Sequence, residues 1–240
     1  MVKDLFNLNI EDMEKAGLQF GHRVSKLHPR MKPYLSGIRD GVHTLALEKT
    51  AEKFAEALKF VSDLISEGKI LVLVGTKIPI KNLVREAAEA VGVPYINERW
   101  LGGTFTNFET ILKRINHFRD LKKQKEIGGL EKYTKKEKMK IDKEIKALEI
   151  KFEGIKNLAK LPDAVFVLDM NKDGLAASEA RKKGIKVVAI CDTNIDPNLV
   201  DFPIPANDDA ISAAKYVLEK FSDVVGAAKL TAEAASKKVV

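Results

Sequence analysis

The chain has 240 residues, 45% of them hydrophobic and 31% charged, with a formal net charge of +7 at pH 7. That length and apolar fraction support one large core or two small ones and exclude disorder throughout. No apolar run approaches the ~18 residues of a membrane span, nothing near the start has the succession of a signal or transit peptide, and a single Cys191 excludes an internal disulfide framework; the expectation is a cytoplasmic protein without a membrane partner.

Residues 1–42 read as an N-terminal helix and a basic loop. Within FGHRVSKLHPRMKPYLSGIRDGVH, residues 20–43, five Lys/Arg stand against one Asp, and three of the four His occur there. The spacings between His22, His28 and His43 match no familiar ligand pattern, so no metal site is expected. A loop whose Arg23, Lys26, His28, Arg30, Lys32 and Arg39 touch phosphates and sugars fits the residue types better. An ordinary charged surface loop is the plainer alternative.

From residue 43 strand and helix patterns alternate. HTLALE, residues 43–48, reads as a strand, and the helix after it buries Phe54, Leu58, Val61 and Ile65. ILVLVG, 70–75, has strand length; Pro79 suits the first turn of the next helix, which stops at Gly92, and a short strand follows at 93–96. After an insertion the pattern resumes with a strand at 164–169, a helix at 174–183, a strand at 186–190 and a last helix from about Asp208 to Phe221, for which Asn207 is the expected N-cap. Apolar strands between amphipathic helices imply a parallel sheet covered on both faces, a doubly wound α/β domain over 43–106 and 161–225.

The insertion, residues 107–160, holds 16 Lys/Arg against 9 Asp/Glu, while the rest of the chain is balanced at 25 each. The whole charge excess lies in this segment, which favours an anionic partner over a merely solvated face. Phe108, Ile111, Ile115, Phe118 and Leu121 recur at three and four, as do Ile141, Ile145, Leu148, Phe152, Ile155 and Leu158. Two narrow apolar seams predict an antiparallel coiled-coil hairpin, with Gly128 and Gly129 in the turn and Thr134 and Glu137 as a capping box. Lys113, Arg114, Lys122, Lys123, Lys125, Lys135 and Lys136 are the candidate phosphate contacts on it.

The hairpin is preceded by RWLGGTFTNF, residues 99–108. Gly102 and Gly103 permit a tight reversal, Thr106 or Asn107 is expected to cap the first arm helix, and Trp100 and Phe105 to pack beneath it. Arg99 is assigned to phosphate. The closing segment 226–240, rich in Ala and Lys without a clear apolar stripe, reads as a tail that is disordered or helical only when bound.

Catalytic signals are thin. VGTKIP lacks the glycine pattern of a dinucleotide or phosphate loop, Cys191 has no nearby His and reads as a buried small residue, and Asp192, Asp196, Asp208 and Asp209 suit turns and caps better than cation binding. No cofactor, small-molecule substrate or catalytic residue is expected. Two rival classes remain: a small-molecule enzyme using the strand-end crevice, and a coiled-coil adaptor that binds only proteins.

GLQFGHRVSKLHPRMKPYLSGIRDGVHTLALEKT, RWLGGTFTNF, LPDAVFVLDMNKDGLAASEARKKGIKVVAICDTNIDP and VDFPIPANDDAI resemble, in order over residues 5–225, the successive signatures of the bacterial small-subunit ribosomal protein S-two family. The resemblance implies a non-enzymatic constituent of the small subunit bound to rRNA between head and body. It also implies a flavodoxin-like domain carrying a coiled-coil arm, and a role in recruiting ribosomal protein S-one. RWLGG together with the long basic arm looks bacterial.

Overall fold

A computed structural model of the chain describes residues 6–130 and 133–237. At its centre five parallel strands form one sheet: β4 (Leu71–Val74), β5 (Tyr95–Ile96), β6 (Ala164–Val167), β7 (Lys186–Cys191) and β8 (Phe202–Pro205), in the order β5-β4-β6-β7-β8. This is the 2-1-3-4-5 order of a flavodoxin-like doubly wound sheet. The strands are apolar throughout because both faces are covered. On one face Leu71, Leu73, Phe166, Val188, Ile190 and Ile204 meet the helices α2 (Leu47–Ser66), α3 (Lys81–Val91) and α7 (Ile211–Lys237). On the other Val72, Val74, Val165, Val167, Val187 and Ala189 meet α6 (Met170–Lys182) and the root of the insertion. Each such Val, Leu, Ile or Phe side chain, fully buried, stabilises the fold by roughly 1.5–3 kcal/mol.

The insertion forms two helices, α4 (Phe108–Glu126) and α5 (Lys135–Phe152), joined through residues 127–134, of which 131 and 132 lie outside the described residues. Ile115, Phe118, Ile145 and Phe152 are buried in one cluster with Trp100, Phe105 and the sheet face. The capping box forms: Thr134 Oγ accepts from the Glu137 N–H at 3.4 Å while Glu137 accepts from the Thr134 N–H at 2.9 Å.

Four expectations need correction. The segment 20–43 is not a loop: β1 (Phe20–Arg23), two 3-10 turns (Val24–Lys26, Pro29–Tyr34) and β2 (Leu35–Arg39) precede β3 (Val42–Leu45). The strand expected at 43–48 is this β3, and it lies between β1 and β2 in a separate antiparallel sheet, not in the parallel one. The turn that makes this possible is Asp40-Gly41, both at positive φ (52° and 76°), as a tight hairpin requires.

β8, absent from the expected elements, contains two prolines, which an edge strand tolerates because its outer side needs no ladder donor. Finally, α7 continues into the segment read as a tail and ends at Lys237. Val225 and Ala228 are buried, and Lys229 Nζ donates to the carbonyls of Val91 and Gly92 at 2.6 and 2.8 Å, satisfying the C-terminal end of α3. Residues 238–240 lie outside the described residues.

The first helix, α1 (Ile10–Ala16), is capped by Asn9, whose side chain accepts from the Glu11 N–H at 3.0 Å. This N-terminal unit is fastened across the chain to β7 and α7. His22 N–H donates to Thr193 Oγ at 2.9 Å, His28 N–H to the Thr193 carbonyl at 2.8 Å, and Asn207 Nδ2 to the Gly17 carbonyl at 3.0 Å. Asn207 also accepts from Asp209 and Ala210 N–H groups, closing the turn into α7.

After α5 the chain returns to the sheet through a 3-10 turn, Glu153–Ile155, pressed against β5. A Cβ on Gly154 would run into the Tyr95 carbonyl oxygen and ring. Gly154→Ala is therefore expected to destabilise the domain by about 1–3 kcal/mol through overpacking at the arm's root. Urea unfolding followed by circular dichroism checks this, and an unchanged midpoint would refute it.

Candidate nucleic-acid interface

The loop before α4 is organised by one residue outside it. Glu179, on α6 and only 3% exposed, accepts from the N–H groups of Gly103 (2.8 Å), Phe105 (3.0 Å) and Thr106 (3.1 Å). The Thr106 hydroxyl (3.0 Å) and Trp100 Nε1 (3.3 Å) also donate to it. Gly103 takes φ +92°, a conformation that L side chains rarely adopt, to aim its N–H there. Trp100 and Phe105 meet edge to face, 4.8 Å between centroids, beneath the arm. Burial pushes the Glu179 carboxyl up, but the hydrogen bonds from Thr106, Gly103, Phe105 and Trp100 outweigh it and hold it below the usual carboxylate range.

The capping expectation is corrected here. Thr106 spends its hydroxyl on Glu179, and Asn107, though at the N-cap position, makes no side-chain bond to the helix backbone; its Oδ1 accepts from Thr110 Oγ at 2.9 Å. Gly102 is exposed at the turn. Nothing in the motif itself identifies Glu179, which lies more than seventy residues away.

The basic residues divide into two groups. Arg23, Lys26, Lys32 and Arg39 are exposed on the N-terminal unit, Arg39 facing Asp40 at 3.8 Å; Arg99, Lys113, Arg114, Lys123, Lys135 and Lys136 are exposed as well. Others are engaged within the protein. Lys122 bonds Glu149 and Glu153 at 3.2 and 3.0 Å, and Lys125 pairs with Asp142 at 2.7 Å, so both close the arm's seam. Arg30 pairs with Asp196 at 2.6 Å, and the half-buried His28 uses Nδ1 to accept from the Arg30 N–H at 3.3 Å. The sequence places Lys and Glu on each helix but does not say which meet across it.

The crevice at the strand ends is filled by the protein's own charges. Lys77 bonds Asp209 at 2.6 Å and Asp169 at 3.2 Å and donates to the Asp208 carbonyl at 2.9 Å. The Asp173 carboxylate takes the N–H and hydroxyl of Thr76 at 2.9 and 2.7 Å, the donors that a bound anion would otherwise use at such a strand end. His22 stands 3.1 Å from Asp192, whose hydrogen bond raises the imidazole's pKa against the effect of burial.

Burial, then the neighbouring Asp192 and Asp169, push the Asp208 carboxyl up to about 7, against the pull of Lys77. His22, Asp208 and Asp209 each bring one donor atom within 4.8 Å of the others, a set that could hold a divalent cation. The three histidines of the N-terminal segment thus separate: His22 faces carboxylates, His28 caps a turn and His43 is buried in β3. Cys191 is fully buried, and burial raises its thiol pKa well beyond the usual range, which suits packing rather than nucleophilic attack.

A five-stranded parallel sheet in flavodoxin-like order, with a basic helical pair rooted on one face, places the chain among doubly wound α/β proteins. The family model described as "Ribosomal protein S2" matches residues 13–228, and the chain belongs to that family. The chain is 44% identical over 219 residues to a protein of Koribacter versatilis and 42% identical over 219 residues to one of Acidobacterium capsulatum, covering 91% of this chain and 73% of each relative. A third, from Coprothermobacter proteolyticus, is 42% identical over 218 residues, covering 91% of this chain and 81% of the relative. All three are named small ribosomal subunit protein uS2.

Removing the Glu179 carboxylate leaves buried N–H groups unpaired, so Glu179→Ala is expected to cost about 3 kcal/mol or more. Because its pKa is lowered on folding, its contribution is complete above the unfolded value of about 4.3 and is lost as pH falls through the lower folded value. Glu179→Gln should therefore flatten the acid side of the stability profile; a curve parallel to the parent's would show that other carboxylates set it.

Proposed function

We propose that the protein is a non-enzymatic constituent of the small ribosomal subunit, in the cytoplasm, that binds rRNA through backbone and shape. The observation that carries this reading is the family match over residues 13–228. The names of the relatives, each a small ribosomal subunit protein, support it. Charge supplies the physical route: the net +7 is concentrated in residues 107–160, and Lys/Arg side chains exchange phosphate counterions for direct contact.

In this reading the N-terminal unit contributes Arg23, Lys26, His28, Lys32 and Arg39, and the arm contributes Lys113, Arg114, Lys123, Lys135 and Lys136, with Arg99 at its foot. Arg30, Lys122 and Lys125 serve chiefly to hold the elements that carry them, given their internal ion pairs. Docking of ribosomal protein S-one is part of the same reading and rests on the family resemblance alone.

Small ribosomal subunits stripped of this protein are expected to bind the purified chain tightly, with affinity falling steeply as salt rises. A variant in which residues 109–157 are replaced by a short Gly-Ser turn should bind more weakly and with a shallower slope. No binding by the folded full chain would sink the ribosomal reading; binding indifferent to ribonuclease would favour a protein-only adaptor.

A further inference from the structure

The two arm helices do not present equivalent outer surfaces. At 3.6 residues per turn, the half of α5 turned away from Ile141, Ile145, Leu148 and Phe152 carries Lys135, Lys136, Lys140, Lys143, Lys146 and Lys151 over an arc of roughly 160°. All six are exposed, and among the described residues none is paired with a carboxylate. No acidic residue falls in that arc: Glu137, Asp142, Glu144 and Glu149 lie on the flanks, and Asp142, Glu144 and Glu149 reach across to Lys125, His117 and Lys122 on α4. The carboxylates of α5 are thus drawn toward the partner helix, which leaves its outer face uniformly positive. Met139 and Ile150, 66% and 62% exposed, interrupt the lysines along the same stripe. On α4 the surface opposite the seam is mixed, with Glu109 and Asp120 among Lys113 and Lys123.

We propose that the acid-free lysine stripe of α5 is the main face of the arm on the phosphate backbone of an RNA helix, with the basic residues of α4 making lesser contacts. The inference rests on the ribosomal reading above and deepens it. From Lys135 to Lys151 the stripe is about 24 Å long at 1.5 Å per residue, enough to follow successive phosphates. Lysine is a compact point charge on a flexible stem, suited to phosphates whose positions vary, while arginine forks suit fixed bidentate partners. Met139 and Ile150 give the stripe apolar contact with sugar edges. Lys140, Lys143 and Lys146 are contacts that the seam pattern alone does not single out.

The test compares two full-length variants that each remove four positive charges. One carries Lys136→Ala, Lys140→Ala, Lys143→Ala and Lys146→Ala; the other carries Lys113→Ala, Arg114→Ala, Arg119→Ala and Lys123→Ala on α4. Alanine at exposed helix positions preserves the helix, and a second stripe variant with Gln at the same four positions guards against a folding effect. Binding to small subunits stripped of this protein is measured across a salt titration, with phosphatidylserine vesicles as a parallel probe.

The stripe variants should lose about 10- to 100-fold in affinity, with a log–log salt slope shallower by about four, since each lost phosphate contact removes about one. The α4 variant, which removes the lesser contacts of Lys113, Arg114 and Lys123, should lose clearly less, about three- to fivefold, with a slope shallower by no more than about two. Equal losses, or a larger loss from the α4 variant, would overturn the assignment while leaving the ribosomal reading intact. A stripe variant that binds subunits like the parent but no longer binds vesicles would overturn it in favour of a lipid surface. Failure of the parent chain itself to bind subunits would overturn both readings.

Discussion

The geometry of the arm depends on one buried carboxylate. Glu179 gathers three backbone N–H groups, a hydroxyl and an indole N–H from the loop that ends where α4 begins. Such a loop, left to itself, would carry unsatisfied donors into the interior, and each would favour a different conformation. A single multivalent acceptor removes that choice. Because Glu179 belongs to α6, which packs on the same sheet face as the arm's root, the loop, the sheet and the arm become one packed body. The aromatic pair Trp100 and Phe105 fills the space beneath.

A second consequence concerns the crevice where flavodoxin-like sheets commonly bind ligands. Here Thr76 offers its N–H and hydroxyl to Asp173, and Lys77 is surrounded by Asp169, Asp208 and Asp209. The carboxylates take up the donors and the cation that would otherwise meet a phosphate. The strand-end loops instead support the N-terminal unit, Thr193 through β1 and Asn207 through the end of α1. The fold's usual binding site has become a joint between two parts of the chain.

Much of the sheet was legible because buried parallel strands read as short apolar runs, as LVLV and AVFV do. The seams of the arm helices were legible for the same reason, being periodic over many residues. β1 and β2 of the N-terminal sheet were not, because they are four and five residues long and mostly exposed, so no hydrophobic alternation marks them. One local signal was present all the same: Asp40-Gly41 is a strong hairpin dipeptide. The end of α7 carries no clear sequence signal because its buried stripe consists of Val225 and Ala228, too small to stand out in an Ala-rich segment. Glu179 and the pairing of Lys122 and Lys125 depend on tertiary neighbours, which no local pattern encodes.

The bonds that fasten the N-terminal unit also bear on the order in which the molecule is completed. Lys220 Nζ donates to the Asn7 carbonyl, Ser212 Oγ to the Ala16 carbonyl and Asn207 Nδ2 to the Gly17 carbonyl, each spanning about 190 residues or more. During synthesis the first forty residues leave the ribosome long before their partners exist. Contacts so distant in sequence form late, after the cost of closing the intervening loop has been met. The first helix and the turn after it therefore lack these partners through nearly the whole of translation, and can take up these contacts only when the last helix has been made.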